Sequence, residues 1–191
     1  MPAGTIRIHH FEPISRVNGP GARAVVWVQG CSLACPGCYN PDTHSLNTGK
    51  VIPVSDLLNQ IRVIQFDIQG ITISGGEPLQ QLTPLIILLA AIRTESSLSS
   101  LVFTGFSWQE IQKFPQASQF LSLIDVLIAG RYRQDLPQAS GLLGSRNKTV
   151  HFLSNRYTMQ DFLVIPEAEV FIQPDGSVSI TGIDPLGWTQ P

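Results

Sequence analysis

Charged side chains are scarce in this 191-residue sequence: twelve Lys and Arg with fourteen Asp and Glu make up 14% of it, against about 25% in an ordinary globular domain. The net charge of −2 lacks the positive excess that phosphate neutralisation needs, which argues against a nucleic-acid binder. Long apolar runs are missing as well. The longest aliphatic stretch, Leu85 to Ile92, falls far short of the roughly 20 residues that span a bilayer. Met1 to His10 has no basic stretch followed by an apolar core, so neither export nor a membrane is expected. Repeats, low-complexity tracts and charge blocks are absent. These absences predict a cytoplasmic chain built as a single domain over residues 1–191. What the chain does have is hydrophobic material. With 43% apolar residues and a mean hydropathy of +0.14, it is not a disordered chain.

Cysteine is also rare, but informatively placed. There are three, an odd number lying within eight residues: Cys31, Cys35 and Cys38. That is poor disulfide material and good metal or redox material. The loop that carries them follows Ala22 to Gln29, whose near-continuous apolar character predicts a strand buried on both faces.

The rest of the chain alternates strand and helix signals. Ser55 is expected to cap a helix through about Ile64. Ile71 to Ser74 reads as a strand ending in Gly75-Gly76, and a helix is expected to begin near Pro84. Leu101 to Thr104 and Val126 to Ala129 read as further strands, with helix between them from Trp108 to about Leu123. This period predicts βαβ units and a parallel sheet. Arg131 to Asn147 reads as a long functional loop. Glu169 to Ile172 and Ser177 to Thr181 flank Pro174-Asp175-Gly176, which predicts a C-terminal β-hairpin.

Three readings of Cys-Ser-Leu-Ala-Cys-Pro-Gly-Cys compete. The cysteines could be small buried hydrophobes, although the spacing is tight and the loop contains Pro36 and Gly37. They could hold zinc, which wants four closed ligands and would have to recruit His44. Or they could hold an iron–sulfur cluster, in which three thiolates leave one iron with an open position.

Cys-x3-Cys-x2-Cys after one strand, followed by Ile71-Thr72-Ile73-Ser74-Gly75-Gly76-Glu77-Pro78 after the next, resembles the radical S-adenosylmethionine superfamily. Gln29 to Pro41, Leu101 to Phe106 and Leu143 to Lys148 resemble the glycyl-radical activating enzymes within it, in particular those serving anaerobic ribonucleotide reductase; the resemblance covers a core of about 15–150 and leaves a C-terminal extension of about 151–191. The resemblance implies an α/β fold: an incomplete parallel β/α barrel of the radical S-adenosylmethionine type with a C-terminal hairpin, since a closed barrel typically needs about 250 residues. It also implies a 4Fe-4S cluster on Cys31, Cys35 and Cys38, with S-adenosylmethionine held by Gly37, Tyr39, Ser74, Gly75, Gly76, Glu77 and Thr104. The partner it implies is a glycyl-radical protein, with a flavodoxin- or ferredoxin-type reductant. The sparse charge is consistent with a weakly charged protein-docking surface.

Several residues carry a bland reading beside this one. Gly75-Gly76 can be an ordinary strand-to-helix turn, Tyr39 a core aromatic, and Thr104 and Ser74 hydroxyls satisfied by local backbone. Asn147 and Lys148 can be solvated loop residues, or can contact the cosubstrate carboxylate or the partner. His9, His10 and His151 read as structural or surface residues. The family usually carries an acid in its Leu-Ile-Asp-Gly segment, where this chain has Ala129; Asp125 lies roughly 13 Å away along a strand and is no substitute. Two other functions remain open. One is radical chemistry on another peptide or on a small molecule such as a deazapurine. The other is a non-catalytic iron–sulfur or zinc module for electron transfer or docking.

Overall fold

The structure is a computed structural model that describes residues 4–138, 140–172 and 175–183. Pro174 of the expected turn and the tail from Asp184 lie outside the described residues. The chain runs β1 (Thr5–Ser15), β2 (Arg23–Val28), β3 (Lys50–Pro53), α1 (Val54–Ile64), β4 (Gly70–Gly75) and α2 (Leu82–Glu95). It continues through β5 (Ser99–Thr104), α3 (Trp108–Ile111), α4 (Ala117–Ser122), β6 (Val126–Ala129), β7 (Pro137–Gln138) and β8 (Gly144–Ser145). Last come β9 (Thr149–Phe152), α5 (Met159–Leu163), β10 (Ala168–Ile172) and β11 (Val178–Gly182).

Seven strands form one sheet in the order β3-β1-β2-β4-β5-β6-β9. The centre, β2, β4, β5 and β6, is parallel; β1, β3 and β9 pair antiparallel at the flanks. The sheet is therefore mixed and parallel-rich rather than wholly parallel. Its central strands are apolar nearly throughout because both faces are covered. Val102 and Leu127 face a large core packed by Leu57, Ile61, Leu85 and Leu89 of α1 and α2. Their neighbours Leu101, Val126 and Ile128 point the other way, into a smaller cluster with Leu142 and Phe162, as the two-residue side-chain period of a strand requires.

Two helix boundaries differ from the sequence reading. α1 begins at Val54 with Pro53 as its cap, and Ser55 Oγ turns to Asp56 instead of capping. The expected helix from Trp108 is two short ones, because Pro115 removes a backbone donor between α3 and α4. β1 had no clear signal, since its pairing with β2 shifts register between Ile8 and His10 and again between Glu12 and Ser15. Such irregularities break the alternation that marks a strand. β10 and β11 pair antiparallel as a separate sheet, with Val170 opposite Ile180 and Ile172 opposite Val178. Two hydrogen bonds tie that sheet to the loop after β1, from Arg16 N–H to Glu169 Oε2 at 3.0 Å and from Asn18 Nδ2 to Thr181 Oγ1 at 3.3 Å. Among the described residues no helix is long and apolar enough to cross a membrane.

Candidate active site

Parallel strands present their loops at their carboxyl ends, where open α/β sheets collect ligands. Here β2 delivers the cysteine loop, β4 the Gly75-Gly76-Glu77 turn, β5 the Thr104-Gly105 step and β6 Gly130. Together with Lys148, just before β9, these segments line a cavity of about 100 Å³ that includes all three cysteines. A larger cavity of about 510 Å³ adjoins it, and Tyr39, Asn40, Ser74, Phe103 and Lys148 line both. The larger volume falls in the range of roughly 300–1,000 Å³ that takes small-molecule ligands.

The cysteine loop is shaped by its backbone. Gly30 N–H donates to Thr43 O at 2.8 Å and Cys31 N–H to His44 O at 3.1 Å, which closes the loop at its base. The Gln29 amide reinforces that closure by donating to Asp42 O at 3.0 Å and Ser45 O at 2.9 Å. Inside the loop, Cys38 N–H donates to Cys35 O at 3.2 Å. Ala34 adopts φ +45°, a left-handed conformation that is uncommon without glycine. Gly37 adopts φ +68°, and a Cβ there would run into the Gln134 side chain. All three thiols are free and half-buried. Burial pushes the Cys31 thiol up, against the opposing pull of the Leu33 and Ala34 N–H groups.

The glycine turn packs directly on the stem of this loop. Gly76 N–H donates to Val28 O at 2.8 Å and Glu77 N–H to Gly30 O at 2.9 Å. Gly75 has φ +96°, and a Cβ on it would lie 2.6 Å from both Val28 N and Val28 O. A Cβ on Gly76 would collide with Gly30 O. The demand for glycine at both positions is thus set by contact with the cysteine loop itself. Glu77 is buried, at 1% exposure, and fully engaged. Its Oε1 accepts from Leu79 N–H at 2.9 Å and Thr104 Oγ1 at 2.7 Å, and its Oε2 from Gly105 N–H at 2.7 Å. Burial raises the Glu77 pKa and these three donors oppose the rise. Thr104 also accepts from Phe106 N–H at 3.1 Å, so its hydroxyl is occupied in fixing Glu77.

Other residues remain open toward the cavities. Tyr39 is 48% exposed, which rules out the core-aromatic reading. Its ring sits 4.9 Å from that of Tyr132 and close over Gly144. No hydrogen bond among the described residues takes up the Ser74 hydroxyl. Asn147 is engaged locally, donating to Arg131 O at 2.9 Å. Lys148, its neighbour, lines both cavities; burial lowers its pKa, while the charges of Cys35, Cys38 and Glu77 push it back up. His9 and His10 line the larger cavity, His9 Nδ1 lying 2.9 Å from Gln29 Oε1, and His151 stacks on Trp108 at 4.2 Å.

His44 was visible in the sequence only as a zinc candidate. It lines the cysteine cavity, and its buried Nε2 has no hydrogen-bond partner. It does not complete a zinc site, because among the described residues no group of three or more His, Cys, Asp or Glu gathers closely enough to hold a single ion. A tetrahedral zinc with bonds of about 2.3 Å would draw its sulfurs to within about 3.8 Å of one another. In a multi-iron cluster each thiolate binds its own iron, so wider spacing suits it. Three soft sulfur donors with no fourth fit such a group, with one iron left open.

Residues 17–151 match the family described as a 4Fe-4S single cluster domain. The anaerobic ribonucleoside-triphosphate reductase-activating protein of Escherichia coli strain K12 is 36% identical over 152 residues, which cover 76% of this chain and 97% of that protein. Its counterpart in Salmonella typhi is 36% identical over 159 residues, covering 78% and 99%. That of Enterobacteria phage T4 is 30% identical over 142 residues, covering 71% and 87%. A likeness to the crystal structure of QueE from Escherichia coli covers 54% of this chain at 18% identity with a TM-score of 0.45, too slight to bear on the fold. The chain belongs to the 4Fe-4S single cluster family, among the anaerobic ribonucleoside-triphosphate reductase-activating proteins.

Proposed function

We propose that this chain is a radical S-adenosylmethionine enzyme that installs a glycyl radical on an anaerobic ribonucleotide reductase. Cys31, Cys35 and Cys38 hold a 4Fe-4S cluster, and S-adenosylmethionine binds beside it across the two adjoining cavities. When bound, the reduced cluster supplies one electron that splits the cosubstrate into methionine and a 5'-deoxyadenosyl radical, which takes a hydrogen atom from a glycine Cα of the partner. The observation that carries this reading is the clamp between the cysteine loop and the glycine turn, made by Gly76 N–H to Val28 O and Glu77 N–H to Gly30 O.

The chain's own residues bind and orient. Tyr39, Ser74, Gly75 and Gly76 line the surface against which the cosubstrate lies, with Tyr39 and Ser74 offering polar contacts, while Gly37 lines neither cavity and serves by the left-handed turn it gives the cysteine loop. Glu77 and Thr104 act one step back, holding the turn that Gly75 and Gly76 make.

We read the sheet as an incomplete β/α barrel closed on one side by the C-terminal strand pair, within a single domain over 1–191 whose core spans about 15–150. The family match over residues 17–151 supports that core. The open side is where a partner's loop would enter. A cytoplasmic flavodoxin- or ferredoxin-type protein supplies the electron in this reading. To test it, the anaerobically reconstituted protein is mixed with an anaerobic ribonucleotide reductase, S-adenosylmethionine and dithionite. An electron paramagnetic resonance doublet from a glycyl radical is expected. Cosubstrate cleavage without that doublet would redirect the chemistry to another substrate.

A further inference from the structure

Two buried side-chain atoms among the described residues have no hydrogen-bond partner, His44 Nε2 and Glu169 Oε1. Glu169 is nevertheless tied down, because its other carboxylate oxygen accepts from Arg16 N–H at 3.0 Å. The His44 ring makes no hydrogen bond among the described residues. Its backbone, by contrast, is held on both sides. His44 N–H donates to Pro41 O and His44 O accepts from Cys31 N–H, each at 3.1 Å, while the Gln29 amide donates to Asp42 O and Ser45 O. The residue is thereby fixed at the base of the loop that carries the thiols, and it lines the cysteine cavity but not the larger one. A buried ring nitrogen without a partner is costly unless a group that enters the site completes it.

We infer that His44 Nε2–H donates a hydrogen bond to a sulfur of the iron–sulfur cluster and so raises its reduction potential. This rests on the reading that Cys31, Cys35 and Cys38 hold that cluster. A neutral imidazole carries one N–H and one acceptor nitrogen. The acceptors that a cluster brings into this cavity are sulfide and thiolate sulfurs, so Nε2 is the protonated nitrogen. Sulfur already takes one donor in this loop, from Asn40 N–H to Cys38 Sγ at 3.4 Å. Ligation of iron is the other use for the same nitrogen, but it would close the one position that three thiolates leave open. Reduction adds a negative charge to the cluster, which strengthens a hydrogen bond to its sulfurs, so losing the donor disfavours reduction.

The test is a redox titration with dithionite of the reconstituted protein without cosubstrate. It compares wild type with His44→Phe, which keeps a ring and loses the donor, and with His44→Gln, whose amide donates from a similar reach. At the wild-type midpoint the ratio of reduced to oxidised cluster should fall about tenfold in His44→Phe, equivalent to about 59 mV for a one-electron couple. His44→Gln should recover most of that ratio, and iron content and melting temperature should match wild type in both variants. In wild type labelled with nitrogen-15 in its histidines, pulsed electron paramagnetic resonance of the reduced cluster should show a weak nitrogen coupling, absent from His44→Phe. An unchanged ratio, or no histidine coupling in wild type, would overturn the inference. A strong coupling, of the size expected for nitrogen bound to iron, would also overturn it and make His44 a ligand. If His44→Phe fails to hold iron, the wild-type coupling decides alone. Wild type that takes up no cluster would remove the underlying cluster reading itself.

Discussion

The two ends of the parallel sheet treat their polar residues in opposite ways. At the amino end, Arg23 is fully buried at 0% exposure, yet its guanidinium is satisfied. Its Nε donates to Thr72 Oγ1 at 2.8 Å, its NH1 to Ser99 Oγ at 2.9 Å and Tyr157 OH at 3.3 Å, and its NH2 to Ile71 O at 2.6 Å. Burial still lowers its pKa, with Tyr157 and Asp125 opposing. Asp125, also buried, accepts from Ser100 N–H at 2.9 Å and Ser154 Oγ at 2.6 Å, with Arg93 and Arg156 close by. At the carboxyl end, Ser74, His44 Nε2 and the Lys148 ammonium face a cavity without hydrogen-bond partners among the described residues, beside three half-buried thiols of which Cys38 Sγ accepts only a long bond from Asn40 N–H at 3.4 Å. Saturated polar groups hold strands together at one edge, and the polar groups at the opposite edge are left open to the cavities.

This contrast can be broken at either end. The largest effect is expected from Cys35→Ala, which should abolish cluster retention, read as iron per chain and visible absorbance. Because the side chain is half-buried and leaves no donor unmet, stability of the cluster-free protein should change by no more than about 0.5 kcal/mol in chemical denaturation. Arg23→Met should do the reverse. Losing the guanidinium donors to Ile71 O, Ser99 Oγ, Thr72 Oγ1 and Tyr157 OH from a fully buried position should cost about 3 kcal/mol or more, although the hydroxyls keep their bonds to Asn18 O, Gln69 O and one another, while any folded variant keeps its iron. Iron loss without unfolding in Arg23→Met would show that the ends are not separable.

The smallest effect sharpens the rim of the carboxyl end. Glu110 is held down to about 2, from an ordinary 4.5, by the Arg131 guanidinium and the Ser107 N–H and hydroxyl. A lowered carboxyl pKa gives stability that is present above pH 4.5 and lost as pH falls through about 2. Glu110→Gln should therefore lose less stability than wild type over that interval, measured by denaturant titration at stepped pH. The difference should be modest, since both partners of the pair are exposed.

Much of the carboxyl end was legible because its chemistry lies in short, contiguous motifs: Cys31 to Cys38 and Ser74 to Pro78 sit directly after apolar strands. The sequence could not show that Gly75 and Gly76 are required by backbone contact with Val28 and Gly30, since that contact joins strands 46 or more residues apart. It also suggested a ligand contact for Thr104, whose hydroxyl the fold commits to Glu77. The amino end was nearly silent. Arg23 does not stand out inside the apolar Ala22 to Gln29 segment, because nothing local shows that Tyr157, 134 positions later, is brought against it. β1 escaped for a similar reason, its irregular pairing being set by β2 and β3 rather than by its own pattern.

The claim that the carboxyl end is a cosubstrate-cleaving centre is tested most directly by quantifying 5'-deoxyadenosine after anaerobic reconstitution with iron and sulfide, then addition of dithionite and S-adenosylmethionine. Wild type is predicted to form 5'-deoxyadenosine and methionine in equal amounts, and Cys35→Ala to form neither. Wild type with a full complement of iron and no 5'-deoxyadenosine would contradict it.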